Sequence, residues 1–137
     1  MTPKQVAEYM LGQDQFSQWM NIRLIEIREN YCLIEMPVKK EMINGLKTVH
    51  GGVTFAFADS ALAFSSNNSG DAAVALNCVI NFTKAGKEGD VFRAESILAN
   101  ETRKTAVYDI KITNQNEDLV AKFVGTAYKI GKKVTEL

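Results

Sequence analysis

The sequence has few of the residues on which cross-linked or metal-dependent domains rely. Its 137 residues include two cysteines, Cys32 and Cys78, one histidine, His50, and two prolines. The cysteines lie in apolar runs and form no CxxC or Cys/His cluster, so we expect reduced, buried thiols rather than a disulfide. With one histidine and no cysteine pair, we expect no metal site and no bound cofactor.

An excess of charge of either sign and a long apolar run are also missing. Sixteen Lys and Arg residues balance sixteen Asp and Glu residues, which argues against a nucleic-acid-binding protein, because such proteins carry a basic patch or stripe. The longest apolar stretch, Val53 to Phe64, is shorter than the roughly 20 residues that cross a bilayer. Met1 to Leu11 lacks the apolar core of a signal peptide. We therefore expect a cytoplasmic protein with no nucleic-acid or membrane partner.

The length and a hydrophobic content of 46% favour one globular domain over residues 1–137. Thr2 and Pro3 predict the cap and first residue of an N-terminal helix, and we assign residues 1–20 to an N-terminal helical segment. Residues 22–37 alternate as a β-hairpin that ends near Pro37. Further strands are predicted at 73–83, 91–99, 106–112 and 119–130.

A long apolar run, VTFAFADSALAFSSNN, follows His50-Gly51-Gly52. Its length and its Ala, Leu and Phe content favour a helix over a strand. The run is apolar on nearly every face, so the rest of the chain should wrap it. We therefore expect an α+β fold in which one long sheet curls around one central helix.

Asp59 is the only ionisable residue between His50 and Asp71. A carboxylate in an apolar setting is costly unless it is paired or wetted, and no basic residue is within reach along the same helix. One interpretation is that Asp59 faces outward or is satisfied by Ser60 or a neighbouring strand. The other is that Asp59 is the base or nucleophile of an active site.

Gly51 and Gly52 open the same helix, where backbone N–H groups are free and carry the positive end of the helix dipole. Two glycines let a ligand approach this backbone closely, which would make an oxyanion hole for a thioester or ester carbonyl. The alternative is a flexible turn into the helix. A lone histidine such as His50 is more often a structural hydrogen-bonding group than a catalyst.

The spacing of these residues has a geometric consequence. Asp59 lies eight residues after Gly51, which is roughly 12 Å along one helix axis. One thioester carbon cannot contact both groups of the same helix. If both act on one substrate, they come from two chains, and a two-fold dimer with antiparallel helices would contain two equal sites.

The segment Asn44 to Gly52, with Asp59 after it, resembles the signature of the hotdog-fold acyl-CoA thioesterases, and among them the PaaI-like thioesterases of phenylacetate degradation. The resemblance covers roughly residues 20–132. It extends through Asn81-Phe82, Gly89-Asp90, Val107-Tyr108-Asp109-Ile110 and Tyr128-Lys129-Ile130-Gly131.

The resemblance implies a hotdog core over residues 21–132, with a curved antiparallel sheet, a double-hotdog homodimer and a homotetramer built from two dimers. It implies hydrolysis of an aryl- or medium-chain acyl-CoA. Asp59 would then be the base or nucleophile, and the Gly51 amide, with Gly52 beside it, would polarise the carbonyl. Asn44 would position the water or thioester, and His50 would orient the loop.

The resemblance also suggests substrate-binding residues. Relatives have a polar residue where this chain has Ala75, and Asn77 is expected two residues on, on the same strand face. Lys84 and Arg103 are candidates for the CoA phosphates, although solvated turn charges are the alternative. Two other functions stay open: a hotdog enoyl-CoA hydratase or dehydratase, which needs a histidine base, and a non-catalytic acyl-CoA-binding module.

Overall fold

The structure, a computed structural model, describes all 137 residues. Its helices and strands, in chain order, are α1 (Pro3–Gln13), α2 (Gln15–Trp19), β1 (Arg23–Arg28), β2 (Tyr31–Pro37), α3 (Gly51–Ser66), β3 (Asp71–Phe82), β4 (Val91–Glu101), β5 (Thr105–Thr113) and β6 (Leu119–Lys133). Each predicted helix and strand is present, with ends shifted by a few residues. None of the helices combines the length and hydropathy that crossing a membrane requires.

All six strands form one antiparallel sheet in the order β1-β2-β4-β5-β6-β3. Strand β3 follows α3 directly, yet it pairs only with the last strand, β6, and lies at an open edge of the sheet. Strands β2 to β6 all contact α3. The predicted α+β fold, a sheet wrapped around one helix, is confirmed.

Helix α3 is buried around most of its circumference. Its large apolar side chains Phe57, Leu62 and Phe64 are at most 2% exposed, and burying a side chain of this size stabilises a fold by roughly 1.5–3 kcal/mol. Its buried hydroxyls have partners, because Ser65 Oγ lies 2.7 Å from Ser96 Oγ and bonds the helix's own carbonyls. The helix thus forms the centre of the hydrophobic core.

The N-terminal segment begins with a capping box, in which the side chains of Thr2 and Gln5 bond each other's backbone N–H groups. Asp14 ends α1 and caps α2, where its Oδ1 accepts from Ser17 N–H at 2.9 Å. Ser17 in turn lies 2.9 Å from Ser60 of α3, oxygen to oxygen. This buried contact fixes the segment against α3.

The loop that leads into α3 is held by backbone hydrogen bonds. Val49 N–H donates to the Gly86 carbonyl at 2.9 Å, and His50 N–H donates to the Met42 carbonyl at 2.8 Å. Gly86 is buried between Phe92 and Val49. The position of the helix start therefore depends on close packing at Gly86.

We expect Gly86→Ala to lower the free energy of unfolding by about 1–3 kcal/mol, because overpacking forces neighbouring side chains to move. A Cβ at Gly86 would lie well inside contact distance of the Phe92 ring and 2.9 Å from Val49 Cγ2. The matched control is Gly12→Ala in α1, where a Cβ meets nothing within 4 Å. This control should be neutral or stabilising by up to about 1 kcal/mol. Urea unfolding at one protein concentration measures both, and equal stability of the two variants would contradict the packing argument.

Candidate active site

The start of α3 presents one free backbone donor. Gly52 N–H donates to His50 Nδ1 at 2.8 Å. The Val53 and Thr54 N–H groups donate to the His50 carbonyl at 2.9 and 3.3 Å. Gly51 N–H makes no hydrogen bond within the chain. It is therefore the group at the positive end of the helix dipole that can bind an oxygen of a ligand.

A cleft of about 330 Å³ surrounds Gly51. The Phe82 ring forms one wall, since a Cβ on Gly51 would lie 3.2 Å from Phe82 Cζ. Thr48 and Lys84 also line the cleft. Lys84 Nζ lies 2.7 Å from Asp118 Oδ2 and is exposed. Lys84, one of the residues predicted to bind a phosphate, thus lines the same cleft as Gly51, where it is paired with Asp118.

Asp59 is a partly buried carboxylate without a counter-ion. It takes part in none of the ion pairs of the chain, and the neighbouring Ser60 hydroxyl bonds Ser17 instead. Burial raises the pKa of Asp59 above its ordinary value, and the negative charge of Asp14 raises that pKa further. Such a carboxylate is a stronger base than one in water.

Cys78 of β3 is partly buried and packs against the hydrophobic core from the inner face of the sheet. Burial and the charge of Asp59 raise the pKa of the Cys78 thiol, so the thiol lies near the carboxylate as a neutral neighbour. Cys78 and Cys32 are both free cysteines. The side of α3 that carries Asp59 is therefore directed towards the open-edge strand β3.

Asn44 shapes the loop before α3. Its Oδ1 accepts from Leu46 N–H at 2.9 Å, Thr48 N–H at 3.1 Å and Thr48 Oγ1 at 3.3 Å. Its Nδ2 has no partner within the chain. One side of the Asn44 amide thus folds the loop that carries Thr48 to the cleft, and the other side is free to donate to a ligand.

The family model of the thioesterase superfamily matches residues 46–121, which is more than half of the chain and includes Gly51 and Asp59. The protein belongs to the thioesterase superfamily. The predicted family and the predicted hotdog fold are thus confirmed.

The chain is similar in sequence and in structure to proteins of known fold, over 82% to 96% of its length. The acyl-coenzyme A thioesterase PaaI of Escherichia coli is 37% identical over 131 residues, which cover 96% of this chain and 94% of that relative. The structure of E. coli PaaI, from the phenylacetic acid degradation operon, matches with a TM-score of 0.94 at 36% identity and covers 96% and 95% of the two chains. A Streptococcus mutans protein bound to acetyl-CoA matches with a TM-score of 0.80 at 29% identity, over 82% and 91% of the two chains.

Five of the predicted site residues of this thioesterase lie at or near the start of α3: Asn44, His50, Gly51, Gly52 and Lys84. Asp59 lies about two turns further along the helix. Arg103 lies elsewhere, because the β4–β5 turn that carries it is at the opposite end of the sheet. There Arg103 shares a shallow cleft with Asp71 and Lys133.

The expectation that Asn77 shares a strand face with Ala75 is wrong. Ala75 pairs with Ala127, whereas Asn77 pairs with the adjacent residue Thr126, because a β-bulge interrupts β3 at Leu76. Successive residues of β6 point to opposite faces, so Asn77 points away from α3. Cys78, which pairs with Gly125, takes the inward position instead.

Two residues beside the site, Asp14 and Phe82, were not predicted. Asp14 belongs to the predicted N-terminal helical segment, where no catalytic role was expected, and its position near Asp59 arises from the packing of α2 against α3. Phe82 was part of the family resemblance without a role, although it packs on Gly51. Neither proximity has a local sequence pattern that could have predicted it.

The two sides of the Asn44 amide can be tested separately. We expect Asn44→Ala to lower the free energy of unfolding by about 1–2 kcal/mol, because three donors lose their acceptor. Asn44→Asp keeps that acceptor oxygen, so the variant should be as stable as the wild type, but it loses the free Nδ2 donor. Its kcat should fall on the order of ten- to hundredfold, since positioning errors cost rates of this size. Asn116→Asp, in an exposed turn, is the matched control, and full turnover by Asn44→Asp would restrict Asn44 to shaping the loop.

Proposed function

We propose that this thioesterase hydrolyses an aryl- or medium-chain acyl-CoA to the free acid and CoA. The observation that carries the proposal is the unpartnered Gly51 N–H at the positive end of a helix that also carries Asp59, a carboxylate without a counter-ion. The PaaI relative is an acyl-coenzyme A thioesterase, and a similar structure holds acetyl-CoA. Both comparisons support CoA thioesters as the substrate class.

In this mechanism, the thioester carbonyl oxygen accepts a hydrogen bond from Gly51 N–H. When water adds to the carbonyl carbon, negative charge develops on that oxygen, and a donor already fixed by the helix stabilises it. Asp59 either takes a proton from the attacking water or adds to the carbon itself and is released by water in a second step. The carbon–sulfur bond breaks in both routes, and CoA leaves as the thiol.

His50 serves this site as a positioning residue. Its Nδ1 accepts the hydrogen bond from Gly52 N–H. This bond fixes the first turn of α3 and occupies the neighbouring donor, so Gly51 N–H is the donor that remains free. A hydratase would need this imidazole as a base against the α or β carbon of the substrate. The observed hydrogen bond therefore favours hydrolysis over hydration.

We infer that the active form is a homodimer joined along β3, with a homotetramer of two such dimers as a prediction. Strand β3 is an open edge 12 residues long, and unpaired edges of this length are sites for pairing with another chain. Val74, Leu76, Val79 and Phe82 of β3 are each at least half exposed. In a two-fold dimer with antiparallel helices, the start of one α3 would lie beside the middle of the partner's α3. Gly51 of one chain and Asp59 of the other could then act on one thioester carbon, although the two residues are roughly 12 Å apart within a chain.

The acyl group and the coenzyme would lie on opposite sides of the reacting carbon. A cleft of about 620 Å³ lies one turn beyond Asp59, with apolar walls at Ala63, Tyr9 and Met10 and a polar side that includes Asp14. An aryl or medium-chain group would pack on the apolar walls. Lys84 would meet a phosphate of CoA near Gly51. Arg103 would reach the same coenzyme only through the dimer, since the two residues lie at opposite ends of one chain. The cytoplasmic location stays a prediction.

We expect Asp59→Asn to fold and to lose turnover by about 10²- to 10⁴-fold, the size of a general-base contribution. Its stability should equal or exceed that of the wild type, because the substitution removes a partly buried charge that has no counter-ion. Asp109→Asn, an exposed carboxylate on the outer face of β5, is the matched control and should keep full activity. Release of free CoA thiol from a panel of acyl-CoAs measures all three proteins. Turnover near the wild-type rate by folded Asp59→Asn would overturn the assignment.

A further inference from the structure

A buried chain of hydrogen bonds links the N-terminal segment to the residue beside Asp59. Asp14 Oδ2 accepts from the Ser17 hydroxyl at 2.5 Å, and Ser17 Oγ lies 2.9 Å from Ser60 Oγ. Because Ser17 gives its proton to Asp14, Ser60 is the donor to Ser17. Ser17 is fully buried and Ser60 is 8% exposed, so the link is shielded from water and fixes where Asp14 lies relative to α3.

Asp14 and Asp59 are two carboxylates on one side of α3, because Asp14 is linked to Ser60 and lines a cleft with Ala63, which lies four residues after Asp59 on the same helix face. The titratable groups packed on that side are Asp14 from the α1–α2 junction, whose charge raises the pKa of Asp59, and Cys78 from β3, whose thiol pKa is raised by burial and by the charge of Asp59. Neither carboxylate takes part in an ion pair. Asp14 also lines the cleft next to Ala63, one turn beyond Asp59.

We propose that Asp14 is an electrostatic positioning residue of the site: the Ser17–Ser60 link holds its negative charge on the side of α3 that carries Asp59. The inference rests on the proposed hydrolysis and adds a role that the family resemblance does not contain. Two nearby carboxylates disfavour ionisation of one another, which increases the proton affinity of the one that reacts. A base of higher proton affinity removes a proton from water more readily.

Asp59 acts when it is ionised, and both burial and the charge of Asp14 raise its pKa. Removal of the Asp14 charge therefore lowers the pKa of Asp59, and the enzyme stays active to lower pH. The weaker base should also reduce the plateau rate by a few-fold.

The test is Asp14→Asn, which removes the charge and keeps the local structure. Asparagine caps helices about as well as aspartate does, and its Nδ2 can donate to Ser17 Oγ in place of the lost acceptor. The measurement is kcat/KM against pH for one acyl-CoA, which reports groups of the free enzyme. The acid limb should move to lower pH in Asp14→Asn. It should not move in Glu8→Gln, which removes an exposed carboxylate from α1 of the same segment. Superimposable profiles for the wild type and Asp14→Asn would overturn the proposal.

Direct titration of the Asp59 carboxyl carbon by NMR makes the test independent of turnover, with the spectrum of Asp59→Asn to assign the signal. The Asp59 pKa should be lower in Asp14→Asn than in the wild type, and an unchanged value rejects the proposal. If Asp14→Asn fails to fold, Asp14→Ser provides a second uncharged cap. A wild-type protein that hydrolyses no acyl-CoA would overturn the proposed function alone, because the titration still decides the role of Asp14.

Discussion

A helix that is apolar around most of its circumference needs cover on nearly every side, and α3 obtains that cover from five strands of one sheet. The sheet must curl to reach around the helix, which explains why β3, the next strand in the chain, pairs with the last strand, β6. No further strand covers the outer side of β3. The open edge is thus a direct result of burying one central helix with six strands.

The same burial gives the candidate site its chemistry. The start of α3 cannot satisfy all its own N–H groups, and His50 and its carbonyl take the later ones while Gly51 is left free. Asp59 interrupts the apolar helix without a cation to stabilise it, which makes it a stronger base. A donor for the carbonyl oxygen and a candidate base are therefore carried by one rigid element, roughly 12 Å apart, which is too far for one thioester carbon to contact both within one chain.

Local patterns predicted the helices, the strands and the family, because capping residues, alternation and the Asn44 to Asp59 spacing are properties of short segments. The bulge at Leu76 was not predictable, since it depends on how β3 and β6 pair, and it reverses the face of Asn77. The position of Asp14 near Asp59 depends on the contact between Ser17 and Ser60, two residues 43 positions apart. The face of Asn77 and the position of Asp14 thus depend on contacts between distant segments, which local sequence patterns do not predict.

The claim that one site combines Gly51 and Asp59 from two chains is tested most directly by mixing two inactive variants. Gly51→Pro removes the N–H that the mechanism needs and places a ring against Phe82, whose Cζ would lie 3.2 Å from a Cβ at this position. The helix itself tolerates the change, because proline is favoured at the first position of a helix. His50 before it already has the extended conformation, φ −57° and ψ 130°, that a following proline requires. Asp59→Asn removes the base.

Co-refolding of the two inactive variants in equal amounts gives about half mixed dimers, and each mixed dimer has one intact site and one site with both lesions. About a quarter of the wild-type activity should therefore return, by the two-fold symmetry of the dimer. Mixed dimers that form and stay inactive would contradict a site shared between two chains.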